Sequence, residues 1–300
     1  MKKERENLRG ALAVGGSYVA WGLLTVFWNL LTDVNSVFIL AQRIIWSVGT
    51  MLLILLWLGR MDEVRGIVKN RKMRRLCMAC GVLITLNWGT YIWAVNNGHV
   101  LDASLGYFIE PVIVGLVGIL AFRERPRKLE WVTFAFAAAG LLFMVIRSGT
   151  VPYLALLIAG SFAVYGAVKK NLTVSAEVSL FLETLFVLPL ALIFSAYAEK
   201  TGIGAIGVLH GWRWLLLPLC GVVTSLPLLC FNRGVKKIPY YLTGILMYIN
   251  PTIQFLMGIS YFHEPLDRDR LIAFIAIWIG VLFTLADKLL LMRKGRDVQE

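Results

Sequence analysis

Charged side chains are scarce in this sequence: they make up 16% of its 300 residues, while 58% are hydrophobic. A soluble domain carries roughly 25% charge. The shortage excludes an ordinary water-soluble enzyme or binding module. Histidine is rarer still, and His99, His210 and His263 fit no metal motif, so neither a metal nor any other cofactor is expected. The four cysteines make no disulfide framework. Cys77 and Cys80 form a lone CxxC, read as two small apolar helix residues. A phosphate-cradling GxxxxGK[ST] loop is missing as well. With no room for a soluble domain, gradients or exchange are left as the energy source.

What the chain has in abundance is long apolar runs. Ten of them, each near the ~20 residues that cross a bilayer, are centred near Ala20, Ser47, Thr85, Val112, Ala138, Ala159, Phe186, Val222, Pro251 and Ile279. All ten are expected to be helices, because backbone polar groups in lipid must be satisfied within their own segment. The predicted fold class is therefore an all-α polytopic membrane protein with ten transmembrane helices.

The net charge of +12 raises nucleic acid as a partner, but its distribution points elsewhere. With the N-terminus placed in the cytoplasm, alternate connections on that side hold 24 of the 30 Lys and Arg, and the opposite side holds 5. Arg43 lies within a span and completes the set. Such a split is the positive-inside signal. It predicts a multi-pass protein of the cytoplasmic membrane with both termini cytoplasmic. Its basic loops are read as topology determinants and contacts for anionic lipid, not as a nucleic-acid surface. The basic start resembles a signal peptide, but Trp21, Trp28 and Asn29 interrupt the apolar run and no small-residue cleavage site follows. It is read as an uncleaved first span.

A repeat emerges when the chain is shifted by 140 residues. "YFIEPVIVGLVGILAFRE" (107–124) then lies on "MYINPTIQFLMGISYFHE" (247–264), and residues 107–146 show twelve identities in forty ungapped positions. Pro111 falls on Pro251, Gly118 on Gly258 and Glu124 on Glu264. Composition bias readily matches Ile and Leu; it does not readily match Pro, Gly and Glu. The expected organisation is two five-helix halves, residues 1–148 and 149–300. An odd number of spans per half forces the second half to run inverted. The loops agree, since "RERPRK" is basic whereas its counterpart "HEPLDRDR" has three acids against two arginines. Inverted repeats are a signature of secondary transporters, with the substrate near the midplane between the halves. Pro111 and Pro251 fall near mid-span, where proline removes one helical hydrogen bond and kinks the helix.

These features resemble the EamA branch of the drug/metabolite transporter superfamily. The block "NWGTYIWAVNNGHVLDASLGYFIEPV" (87–112) is similar to the RarD group, with its N-W-x-x-Y-I-W-x-V-N and S-L-G-Y-F-x-x-P stretches. The resemblance covers essentially the whole chain and implies an exporter or permease of small metabolites or drug-like solutes. It also implies an Arg in the second span, here Arg43. Position 110 departs from the group, which often has Asn there, as the second half does at Asn250.

Glu110 is the sharpest site candidate, because an ionisable residue at mid-membrane normally faces a cavity or a partner. It is predicted to bind substrate and to couple transport to protons; the alternative is a carboxyl tied to a neighbouring helix. Tyr107 lies one turn earlier on the same helix face. Asn87 with Tyr91, Asn250 with Gln254, and Ser161 with Tyr165 form i, i+4 pairs, and Trp21, Thr25 and Trp28 line up in the first span. Such polar and aromatic stripes would line a cavity for a small amphipathic solute, or else hydrogen-bond helix to helix. Arg43 and its offset counterpart Glu183 are read as structural intramembrane charges, snorkelling or paired. Glu124 and Glu264 are read as helix-end or gate contacts. Two other classes stay open: a membrane-embedded enzyme acting on a lipid-linked substrate, and a non-transporting sensor or scaffold. An enzyme would require clustered His, paired Asp or a Ser/His arrangement, and the sequence shows none of these.

Overall fold

The computed structural model describes residues 2–123, 128–149, 151–169, 172–235, 237, 246–266 and 268–297. Its described elements are helices: α1 (Lys2–Asn29), α2 (Ser36–Trp57), α3 (Met61–Lys69), α4 (Arg71–Asn96), α5 (Val100–Phe122) and α6 (Lys128–Ser148). They continue as α7 (Tyr153–Lys169), α8 (Ala176–Lys200), a 3-10 turn (Gly211–Leu215), α9 (Leu216–Val235), α10 (Ile249–Ser260) and α11 (Arg268–Asp297). Each of the ten expected centres lies in its own helix. Among the described residues, six helices are long and apolar enough to cross a membrane, and α6, α7 and α11 carry shorter apolar stretches. Large apolar side chains cover the exterior, with Trp57 80% and Leu120 81% exposed. A surface of that kind is solvated by lipid rather than by water.

Helix starts follow from local chemistry. Asn35 Oδ1 accepts hydrogen bonds from the Val37 and Phe38 amides at 2.9 and 3.2 Å, and Asn70 Oδ1 accepts from Lys72 and Met73, both at 3.1 Å. These are N-caps for α2 and α4. The start of α5 is capped from far along the chain. Glu264, just after α10, accepts from the Val100 and Leu101 amides at 2.6 and 2.9 Å. Its counterpart Glu124 lies outside the described residues.

The basic connection after α2, expected to be a loop, contains α3. Val64 is buried. Asp62 and Glu63 in the first turn and Lys69 in the last suit the helix dipole. Glu63 accepts from the Ser175 amide and hydroxyl at 2.9 and 3.0 Å, and Arg60 pairs with Glu177 at 3.1 Å. Together they hold α3 to the start of α8.

A shift of 140 residues carries α1 onto α7, α2 onto α8, α4 onto the 3-10 turn and α9, α5 onto α10, and α6 onto α11. The packing neighbours exchange in the same way. Helix α1 packs on α10 as α7 packs on α5; α1 packs on α9 as α7 packs on α4; α2 packs on α9 as α8 packs on α4. The pairs α2 with α8, α5 with α10 and α6 with α11 map onto themselves. Small residues allow the close crossings. A Cβ on Gly81 would lie 2.4 Å from the Glu183 carbonyl oxygen, and one on Gly221, 140 positions later, 2.2 Å from that of Trp46. Likewise Gly140 meets Ala273, and Gly280 meets Thr133.

The two matched prolines behave differently. Helix α5 runs unbroken from Val100 to Phe122 through Pro111. Pro251 lies in the first turn of α10, and regular helix is interrupted at Met247 and Tyr248, four and three residues before it. A proline ring displaces the carbonyl four residues back.

Candidate functional site

Glu110 on α5 and Asn250 and Gln254 on α10 are all buried. Gln254 Nε2 donates to Asn250 Oδ1 at 2.9 Å, but Gln254 Oε1 and Glu110 Oε2 are buried without a hydrogen-bond partner. Ser104 joins the two helices, its hydroxyl donating to the Pro251 carbonyl at 2.9 Å. One turn before Glu110, the half-buried ring of Tyr107 meets Tyr91 edge-on, with centroids 5.7 Å apart. The Tyr91 hydroxyl is also buried and unpartnered.

Arg43 borders this layer. Tyr107 packs against the buried cluster that holds Tyr91 and Trp28, and Trp28 is one of the two rings that Arg43 faces. The Arg43 guanidinium lies 4.0 Å from the Trp88 ring centroid and 5.0 Å from that of Trp28. It neither snorkels nor pairs with Glu183. The side chain is 5% exposed, and Nε and Nη1 have no partner. A cation at mid-bilayer costs at least ~2.5–3.5 kcal/mol. Two ring contacts offset this by about 1–2 kcal/mol each, yet each unsatisfied donor costs about 1–3 kcal/mol more.

Glu183, at the equivalent position of the second half, is fully satisfied. It accepts from Tyr165 Oη at 3.0 Å, from Lys169 Nζ at 3.0 Å and from the Ser179 hydroxyl. Tyr165 is therefore tied into a charge cluster between α7 and α8, apart from Glu110. Asn87 is a tether between α4 and α7, its amide donating to the Ile158 carbonyl at 2.8 Å and to Ser161 Oγ at 3.1 Å. Trp21 belongs to an aromatic trio with Tyr18 and Phe231, at 5.3 and 5.7 Å. Of the expected residues, the structure thus groups Tyr91, Tyr107, Arg43 and Trp28, with Trp21 packed against the same cluster; it keeps Asn250 with Gln254, and ties Asn87 and Tyr165 into other hydrogen bonds.

Sequence reasoning missed Trp88, Ser104, Lys169 and Ser179. Lys169 was open to detection, standing four residues after Tyr165 on one helix face. In the connection between α1 and α2, Asp33 accepts from Arg213 of the 3-10 turn at 2.8 Å, and that hydrogen bond holds the Asp33 carboxyl below its ordinary pKa. A hollow lined by Val37, Leu40, Trp93 and Leu157 is almost wholly apolar and contains none of the polar-layer residues.

Apolar helices around a buried polar layer define a multi-pass helical membrane protein. The chain belongs to the EamA-like transporter family, whose model matches it twice, over residues 8–146 and 150–286. The uncharacterized transporter YojE of Bacillus subtilis (strain 168) is 40% identical, covering 92% of this chain and 93% of its own. Protein RarD of Streptomyces exfoliatus is 37% identical over 99% of this chain and 94% of its own. A solved protein crystal structure superimposes with a TM-score of 0.63 at 16% identity, over 94% of this chain and 97% of its own, and shares the fold. The protein is thus a membrane transporter of the drug/metabolite family.

Proposed function

We propose that the protein is a secondary transporter of small metabolites or drug-like solutes in the cytoplasmic membrane. It works by alternating access around a midplane site between two inverted five-helix halves, residues 1–148 and 149–300. In this reading ten spans leave both termini on one side, and the 24-to-5 bias of Lys and Arg makes that side the cytoplasm, with anionic lipid at the basic loops. The observation that carries this reading is the exchange of helix neighbours under the 140-residue shift: α1 on α10 as α7 on α5, and α1 on α9 as α7 on α4. Two halves that can exchange roles supply two equivalent packings, one open to each side. Glu110 on α5 and Asn250 and Gln254 on α10 are buried positions of two helices that pack on each other. Glu110 is the proposed proton-coupling group.

Replacing Asn250 by Cys, in a background lacking Cys77, Cys80, Cys220 and Cys230, tests the reading. Membrane vesicles of both orientations are treated with an impermeant thiol reagent. The expected result is slow labelling from each side. Labelling from neither side, or from one side only, counts for a static protein and against alternating access.

A further inference from the structure

We infer that Arg43 anchors the negative group of the transported solute, and that this solute is a carboxylate carried on a flat, apolar body. The inference rests on the transporter reading and adds the substrate class to it.

The guanidinium stays charged at any physiological pH, and it lies inside the bundle rather than at its rim. None of the carboxylates among the described residues pairs with it. Glu183, the counterpart in the other half, is taken up by Lys169, Tyr165 and Ser179. Glu110 makes no bond to it, and has its own unpartnered oxygen.

The remaining orphan atoms nearby have one chemistry. Trp28 Nε1, Arg43 Nε and Nη1, Ser47 Oγ and Tyr91 Oη are all buried and unpartnered. Ser47 follows Arg43 by one turn of α2, Trp28 contacts the guanidinium face, and Tyr91 belongs to the same buried cluster as Trp28. Indole and guanidinium nitrogens only donate, and the two hydroxyls are able to donate. A set of donors around one cation is satisfied by an acceptor-rich anion. A single positive charge matches a carboxylate better than a phosphate dianion. The indole rings of Trp28 and Trp88, with Tyr91 and Tyr107, supply flat apolar walls for the rest of the molecule.

The test uses the full chain in lipid nanodiscs, with benzoate, phenylacetate and indole-3-propionate as probes and their neutral amides as isosteric controls. Thermal stabilisation and quenching of tryptophan fluorescence are followed against concentration. At least one carboxylate should bind saturably, ten-fold or more tighter than its amide. Arg43→Gln should bring the carboxylate down to the level of the amide. Arg43→Lys keeps the charge but loses the planar group stacked on the indoles, and should weaken binding several-fold. The second variant decides the matter if Arg43→Gln does not fold. Three results overturn the proposal: no saturable carboxylate, amides that bind equally well, or an Arg43 variant with the parent's affinity. If these occur while position 250 still labels from both sides, transport stands and the Arg43 assignment falls. If carboxylates bind but labelling fails, the site stands without alternating access.

Discussion

Lys169 Nζ lies 3.0 Å from Glu183 Oε1, closing a partly buried ion pair between α7 and α8, and the 140-residue shift carries Arg43 onto Glu183. Two positions related by the 140-residue shift thus differ: one carries an anion bound on every side, the other a cation with free donors. A pair of this kind stabilises the bundle through the loss suffered when only one member is removed. Glu183→Ala strips the acceptor from Lys169, Tyr165 and Ser179 together. The expected destabilisation is about 2 kcal/mol, below the ~3–5 of fully buried pairs, because Lys169 keeps 27% of its side chain exposed. Thermal unfolding in detergent should show it. Lys169→Met combined with Glu183→Leu should cost less than the two single changes summed; full additivity would mean the pair is not coupled.

Gly81 and Gly221 should tolerate no side chain. Each meets a backbone carbonyl of the facing helix far inside contact distance, and a backbone cannot turn aside as a flexible side chain does. Gly81→Ala and Gly221→Ala each force two helices apart, at about 1–3 kcal/mol. Gly16→Ala and Gly160→Ala are the controls, because a Cβ there meets nothing within 4 Å. Equal melting temperatures for all four variants would show that the close crossings do not hold the fold.

The sequence carried the helices well and their partners poorly. All ten centres were legible because lipid demands a continuous apolar run, which is a local property. Helix α3 was overlooked because "MDEVRGIVK" counts as basic loop when only its charges are read, although Val64 gives it an apolar side. Arg43 was visible as a buried charge. Its place between Trp28 and Trp88 was not, because it depends on how α1, α2 and α4 cross. In the same way the i, i+4 stripe of Ser161 and Tyr165 was legible, but Asn87 claims the first and Glu183 the second from other helices. Periodicity tells which face of a helix is polar; it does not say which neighbour uses that face.

Asp33, in the connection between α1 and α2, gives a pH signature through its bond to Arg213. The folded-state pKa of Asp33 lies below its unfolded value. Its contribution is therefore complete above about pH 4 and is lost as pH falls through the lower, folded value. Asp33 keeps 46% of its side chain exposed, so the bridge is worth only about 0.5 kcal/mol after solvent screening. Asp33→Asn should lower the melting temperature slightly at pH 7, and less in high salt. That difference should shrink steadily below pH 4; a difference that grows with acid contradicts the assignment.

Glu110 and Asn250 stand at equivalent positions of the two halves, and only one of them titrates. If Glu110 carries the coupling proton, it must load from one side and release to the other as the halves exchange roles. Asn250, already accepting from Gln254 at 2.9 Å, then contributes hydrogen bonding alone. Glu110→Gln keeps the shape and nearly all the packing but removes the titration. With a solute found by comparing metabolites of cells that carry and lack the protein, proteoliposomes separate the two steps. The variant should exchange labelled for unlabelled solute at close to the parent's rate, because exchange needs only the site and its alternation. It should lose the net uptake that a pH gradient drives in the parent, with accumulation falling to the level reached without a gradient. A variant that still accumulates solute in response to the gradient assigns the proton elsewhere, and leaves Glu110 with the structural role of a buried carboxyl between helices.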